Sequence, residues 1–230
     1  MGAPLTELAI DKIRGLIKDG GLGPGDRLPP EAQLSDLLGV SRGSTREAVR
    51  ALVTAGVLDV RRGDGTFVTN LSAGTLLAGV GRAVELMGEE SILELVETRR
   101  VIEPQVTALA AMRATAEEQA EIAGHLNLMR RWSEYDDLVA HDADFHAAVA
   151  RASGNLTLAA LLNGISSATV RARVWRGVVD SDAANVTIAE HAAILAAIEA
   201  GDARLAEALA LAHVSGIEHW IRAAVDQEVV

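Results

Sequence analysis

Apolar residues return every three or four positions through most of this chain, and the departures from that rhythm mark its joints. Leu5, Leu8, Ala9, Ile13, Leu16 and Ile17 fall on one face of a helix spanning 5–18. Gly20-Gly21-Leu22-Gly23-Pro24-Gly25 ends it. No strand precedes these glycines, so they do not form a dinucleotide loop. Pro29-Pro30-Glu31 predicts a second helix through Leu38, proline being tolerated in a first turn, and Gly39 breaks it. A third helix opens between Ser41 and Ser44, where Ser44-x-x-Glu47 fits a capping box, and runs to about Ala55 before Gly56 closes it. The period then switches to two short β-prone segments, 57–62 and 66–69, around the hairpin signal Gly63-Asp64-Gly65.

Three helices followed by a hairpin predict a winged helix-turn-helix over residues 1–70. Leu71 to Gly81, with Gly74, Gly79 and Gly81, reads as a connector of mixed character, and 71–84 is assigned as a linker or connecting helix. From about Glu85 the pattern is helical throughout, over roughly 91–114, 116–132, 134–152, 155–176, 184–200 and 202–225. The expected fold class is therefore mainly α: the winged head, then an all-α antiparallel bundle of six to seven helices over 85–230.

Composition narrows this picture. Hydrophobic residues make up 49% and aromatics only 3%, so the cores must be aliphatic and rich in alanine, which favours helices. The absence of cysteine excludes disulfides, thiolate metal sites and cysteine nucleophiles. No apolar run approaches the roughly 20 residues of a membrane span, and the N-terminus lacks the segments of a signal peptide. A cytoplasmic protein without a membrane partner is the expectation. The net charge of −11 is unevenly shared. Residues 1–70 hold nine Lys/Arg and nine Asp/Glu, whereas 71–230 hold twelve and twenty-three, so the acidity belongs to the second part. Within the first, Ser41 to Arg50 carries three arginines against the single acid Glu47, and Arg61 and Arg62 add a second basic spot.

That basic cluster sits where chemistry is expected. Arg42, Ser44, Thr45 and Arg46 lie on the first turns of the third helix, with Ser41 just before it. Hydroxyls and guanidiniums at a helix start can donate to phosphates, and an arginine there can fork onto a guanine edge. Ala48, Val49, Leu52 and Val53 form the apolar back of the same helix. Arg62 and Gly63 mark the hairpin tip, where a wing can follow a nucleic-acid backbone into the minor groove.

The stretch Pro24-Gly25-Asp26-Arg27-Leu28-Pro29-Pro30-Glu31, with Leu34, Leu38-Gly39-Val40-Ser41-Arg42, Arg46-Glu47-Ala48 and Gly63-Asp64-Gly65-Thr66-Phe67-Val68, resembles the GntR family of bacterial transcription regulators over about residues 8–69. The resemblance implies a homodimer on a short palindromic operator in double-stranded DNA. It assigns DNA contacts to Ser41, Arg42, Gly43, Ser44, Arg46, Arg62 and Gly63. Two positions depart from the pattern: Ala32 stands where many members carry an arginine to the DNA, and Thr45 where valine is usual.

A second constellation lies in the helical part. Asp142 and His146 are four apart and project from one helical face, His191 opens a later helix, and His213 lies on the next. Three imidazoles and a carboxylate converging between helices suit a divalent metal, with Zn²⁺ first and Ni²⁺ or Mn²⁺ as alternatives. His125, His141 and His219 fall outside the pattern, and Asp144 is on a different face from His146. Asp142-x-x-Phe145-His146, Glu190-His191-x-x-Ile194-Leu195, Ala200-Gly201-Asp202 and His213 resemble the effector domain, FCD, of the FadR-type subgroup. Many members with this Asp and three His bind a divalent metal, whereas the fatty-acid-sensing branch lacks the set. Glu97-Thr98-Arg99-Arg100 and Glu103 match that domain's opening helix, where an arginine often faces the effector pocket. Arg99 is the first choice and Arg100 the second; a buried salt bridge to a glutamate is the competing role for Arg99. Asn163 and Arg171 are further effector-binding candidates.

The function expected from these signs is a ligand-responsive transcriptional regulator, a repressor, whose helical domain binds a metal and a small carboxylate or sugar acid. A metal-dependent hydrolase or lyase-like enzyme is the alternative. Against it, the chain has no His-Glu-x-x-His, and Glu190, beside a ligand, is expected to point elsewhere. A regulator sensing the ion itself is the third reading, disfavoured by the lack of thiolates.

Overall fold

The computed structural model describes residues 5–84, 86–87, 91–131, 135–166 and 183–226. It divides into two compact units, Met1–Gly79 and Val80–Val230. The first unit opens with α1 (Leu5–Lys18), α2 (Glu31–Leu38) and α3 (Arg42–Thr54), followed by β1 (Leu58–Arg61) and β2 (Gly65–Val68). Ala9, Ile13, Leu28, Leu34, Leu38, Ala48, Leu52, Leu58 and Val68 form its aliphatic core. Leu5 and Leu8, expected on the buried stripe of α1, stay exposed in its first turn.

Local chemistry explains why α3 starts where it does. Ser41 has the extended backbone of an N-cap and its side chain accepts the Ser44 N–H at 3.1 Å. The capping box expected at Ser44 and Glu47 does not form: Ser44 already lies inside the helix, and Glu47 pairs with Arg50 at 3.0 Å. A complete capping box occurs instead at Thr115 and Glu118. Thr45, the departure from the usual valine, is fully buried and its hydroxyl donates to the Ser41 carbonyl at 3.1 Å. The threonine thus fills an apolar site while satisfying its own oxygen.

The wing is an antiparallel pair with Leu58 opposite Val68 and Arg61 opposite Gly65. The proline-glycine segment before α2 adds a further edge to it. Gly25 N–H donates to the Val68 carbonyl at 2.9 Å, Val68 N–H to Asp26 at 2.8 Å and Leu28 N–H to Thr66 at 2.8 Å. Gly63, at the tip, has φ +78° with no atom within 4 Å of where a Cβ would stand, so only its backbone requires glycine.

Residues 71–84, assigned from sequence to a linker or connecting helix, contain α4 (Ala73–Val84), which spans the boundary between the two units. The second unit continues with α5 (Ile92–Arg113), α6 (Ala116–Met129), α7 (Tyr135–Ala152), α8 (described over 156–166), α9 (Ala183–Glu199) and α10 (Ala203–Asp226). Its largest core gathers Ala110, Ile122, Leu126, Met129, Phe145, Ile198 and Ala206 from five of these helices. Val96, Val214, Ile217 and Ile221 form a second cluster along α5 and α10. Among the described residues, no helix is long and apolar enough to cross a membrane.

Gly56 sits at φ +72°, and a Cβ there would stand 2.6 Å from the Thr75 carbonyl oxygen. Gly56→Ala therefore combines left-handed strain with a backbone clash, and is expected to cost about 1–3 kcal/mol, read as a lowered midpoint in urea unfolding of the intact chain. An unchanged midpoint would show that the turn is not under this constraint.

Candidate functional site

In the first unit, Ser41, Arg42, Gly43 and Arg46 are exposed on the opening turns of α3, and Ser44 is half-buried. Arg62 and Gly63 are exposed on the wing. Arg46 is not a loose cation: its guanidinium forks onto Glu31 at the start of α2, with Nε to Oε2 at 3.1 Å and Nη2 to Oε1 at 2.7 Å. This pairing holds the Glu31 carboxyl below its ordinary range, the Arg46 hydrogen bond being the main cause. Arg61 lies over the Phe67 ring at 4.1 Å, and both it and Arg62 are exposed.

The predicted cluster in the second unit also comes together. α7 projects Asp142 and His146, α9 supplies His191 and α10 supplies His213. His191 Nε2 stands 3.4 Å from His213 Nε2 and 3.6 Å from Asp142 Oδ1, and His146 Nε2 stands 3.8 Å from that same oxygen. His191 is fully buried, His213 1% exposed and Asp142 5% exposed, so bulk water does not compete for these atoms. Phe145 stacks on His191 with centroids 4.2 Å apart, fixing its ring plane.

The outward nitrogens settle which way the imidazoles face. His213 Nδ1 lies 2.6 Å from Glu190 Oε2, and His146 Nδ1 contacts Glu103 Oε1. An ionised carboxylate only accepts, so both Nδ1 atoms donate and both Nε2 atoms turn a lone pair inward. His191 Nδ1 faces the Met129 sulfur at 3.5 Å, which directs its Nε2 to the same centre. Three lone pairs thus meet a carboxylate oxygen, and His146 Nε2 finds no hydrogen-bond partner. Donors around a tetrahedral ion at roughly 2.0–2.1 Å stand about 3.4 Å apart, close to the separations seen. The residues fit a divalent metal.

Burial lowers His146, against the opposing pull of Glu103, and lowers His191 well below the ordinary imidazole value, helped by His213 and His146. Neutral rings are the form that ligates. Behind them, burial alone would raise Glu103, but the charge of Arg99 and the hydrogen bonds from Arg99 and His146 hold it well below the carboxylate range.

Two of these partners were misjudged or missed from sequence. Glu190 does not point elsewhere but braces His213. Glu103 enters the sequence reading only as a position matching the opening helix of the effector domain, with no role toward His146. Arg99 itself, first choice for an effector contact, is fully buried with Nε 2.9 Å from Glu103 Oε2. The competing salt-bridge role is therefore the one its geometry displays. Arg100 pairs with Glu218 at 2.7 Å. Asn163 is exposed and lines a cavity of about 20 Å³ with Glu103, Thr107, His146 and Ser166, enough for one water. Arg171 lies outside the described residues.

Comparison with known proteins agrees with both halves. Residues 5–68 match the family described as "Bacterial regulatory proteins, gntR family", and residues 94–216 match the FCD domain. The HTH-type transcriptional regulator LutR of Bacillus subtilis (strain 168) is 31% identical over 221 residues, covering 93% of this chain and 100% of that protein. A putative L-lactate dehydrogenase operon regulatory protein of Escherichia coli (strain K12) is 34% identical over 219 residues, covering 92% of this chain and 84% of that protein. The solved structure of a Streptococcus agalactiae GntR superposes with a TM-score of 0.69 at 25% identity, covering 93% of this chain and 99% of that one.

Removing Arg99 would leave Glu103 buried without its guanidinium partner. Arg99→Met is expected to cost about 3–5 kcal/mol in urea unfolding, and adding Glu103→Gln should recover part of it. Additive losses in the double variant would rule out a direct coupling between the two side chains.

Proposed function

As a member of the GntR family carrying an FCD domain, the chain is a DNA-binding transcription regulator rather than an enzyme, and we propose that it is a metal-dependent, ligand-responsive repressor. Two copies bind a palindromic operator, with Ser41, Arg42, Gly43, Ser44 and Arg46 reading the major groove and Arg62 and Gly63 following the backbone. Asp142, His146, His191 and His213 hold a divalent ion, Zn²⁺ first, and a small carboxylate or sugar acid completes its coordination. The observation that carries this reading is the convergence of three imidazole lone pairs and Asp142 in a dry interior, braced by Glu103 and Glu190.

When bound, the ion supplies a Lewis-acid centre that accepts a carboxylate together with a neighbouring hydroxyl. The chain's own residues do the rest. Glu103 and Glu190 keep His146 and His213 in the ligating tautomer, and Arg99 acts through Glu103 as a positioning residue. Asn163 lines the one-water cavity beside His146, which must widen to admit an acid, and its side chain can then hydrogen-bond the acid's hydroxyl. The name of the 34% identical Escherichia coli relative refers to an L-lactate dehydrogenase operon, which makes L-lactate a reasonable first member of a hydroxy-acid panel. Coupling of 1–3 kcal/mol between acid and operator is sufficient to change operator occupancy severalfold.

Two measurements test this. Fluorescence anisotropy with DNA from the chain's own upstream region should show specific binding, weakened about 10- to 100-fold by Arg42→Ala. Absence of any sequence-specific binding, with or without acids, would sink the operator reading. Elemental analysis after mild purification should find one ion held by the inner ligands, lost in Asp142→Ala/His191→Ala. A variant retaining as much metal as the parent in that set refutes the ligand assignment, and a panel of hydroxy acids that leaves operator affinity unchanged in metal-loaded protein refutes the effector.

A further inference from the structure

The histidines that fall outside the inner pattern are not scattered. His125 on α6 and His141 on α7 both turn Nδ1 toward Asp144, at 3.9 and 4.0 Å from its Oδ2. These distances are too long for hydrogen bonds. Both nitrogens are buried and neither has a hydrogen-bond partner among the described residues. The rings are partly exposed, 22% and 29%, and Asp144 is 58% exposed, so the cluster opens to solvent. One donor atom from each of the three residues can be chosen so that all lie within 4.8 Å of one another.

We infer that His125, His141 and Asp144 form a second divalent-cation site, separate from the inner one. Residues 141 and 144 are one turn apart on α7, on a side of the helix roughly opposite that of Asp142 and His146, so neither set borrows a ligand from the other. Two imidazoles and a carboxylate without thiolate suit Zn²⁺, Ni²⁺ or Cu²⁺. An ion ligated by both orphaned nitrogens satisfies them at once. Donors in a ligated set stand about 3.4 Å apart, so binding draws in donors that now lie within 4.8 Å of one another, by rotation of the exposed Asp144 carboxylate and of the two partly exposed imidazoles. The acidic surplus of the second part of the chain, twenty-three Asp/Glu against twelve Lys/Arg over 71–230, favours cation uptake there. Ligands from α6 and α7 make the site a clasp across that helix pair, and its open face leaves coordination positions to water.

The test is Zn²⁺ titration of the chelator-stripped full chain by calorimetry and by equilibrium dialysis. The parent should take up two ions per chain. His125→Gln/His141→Gln should lose one, with affinity for the other unchanged, and Asp144→Asn, at an exposed position, should weaken the same ion at least tenfold. Asp142→Ala/His191→Ala should keep the clasp ion, and Zn²⁺ should still raise its melting temperature. A second ion retained in His125→Gln/His141→Gln with native helicity, or a single ion in the parent that is lost only with Asp142 and His191, overturns the inference. Loss of the inner ion alone counts against the proposed function and leaves this site standing.

Discussion

A buried chain of charge, Arg99 to Glu103 to His146, is the constraint on which the second unit depends. Neither charge of the Arg99–Glu103 pair could be removed from water in this way singly, since each would carry a desolvation penalty of several kcal/mol. Together they neutralise and hydrogen-bond one another, and the order of the chain has a direction. Arg99 keeps Glu103 ionised, an ionised Glu103 can only accept, and His146 must then donate outward and offer its other nitrogen inward. The geometry of the inner cluster is thus dictated from a residue that touches none of its converging atoms. Glu190 performs the same service for His213 from a half-exposed position on α9.

The two units separate two kinds of electrostatic work. The DNA-binding head is neutral overall and concentrates its arginines at the start of α3 and on the wing. The helical unit carries the whole negative excess and brings its acids either behind imidazoles or to the surface. An uneven distribution of this kind favours approach of a polyanion to the arginines of the head over approach to the acidic helical unit. α4 runs through the boundary between the two units, so a helix rather than a run of coil stands where the sequence pattern had weakened.

What could be read from the sequence follows the range of the interactions. The helix-turn-helix and wing were legible because their determinants are local: glycines, prolines and an apolar period within a few residues of one another. The inner cluster was legible because Asp142 and His146 are one turn apart and the remaining histidines occupy familiar spacings. Ser44 and Glu47 had the right spacing for a capping box but lost to Ser41, whose extended backbone claims the cap first. Glu190 was misjudged because its neighbour in sequence, His191, belongs to the inner cluster, whereas its own partner, His213, is a helix away. His125 could not be linked to His141 and Asp144 without knowing that α6 and α7 lie side by side.

The Glu31–Arg46 fork on the head carries a consequence for discrimination. An arginine already clasped by a carboxylate has little to gain from an ordinary phosphate, which offers one anion in exchange for another. A phosphate can match the fork with two oxygens and a guanine edge with two neutral acceptors, so any acceptor on DNA competes with Glu31 for the same two N–H groups. If Arg46 contacts DNA as proposed, the exposed carboxylate on α2 sets only a small threshold that the new acceptor must exceed, and it does so without contacting a base.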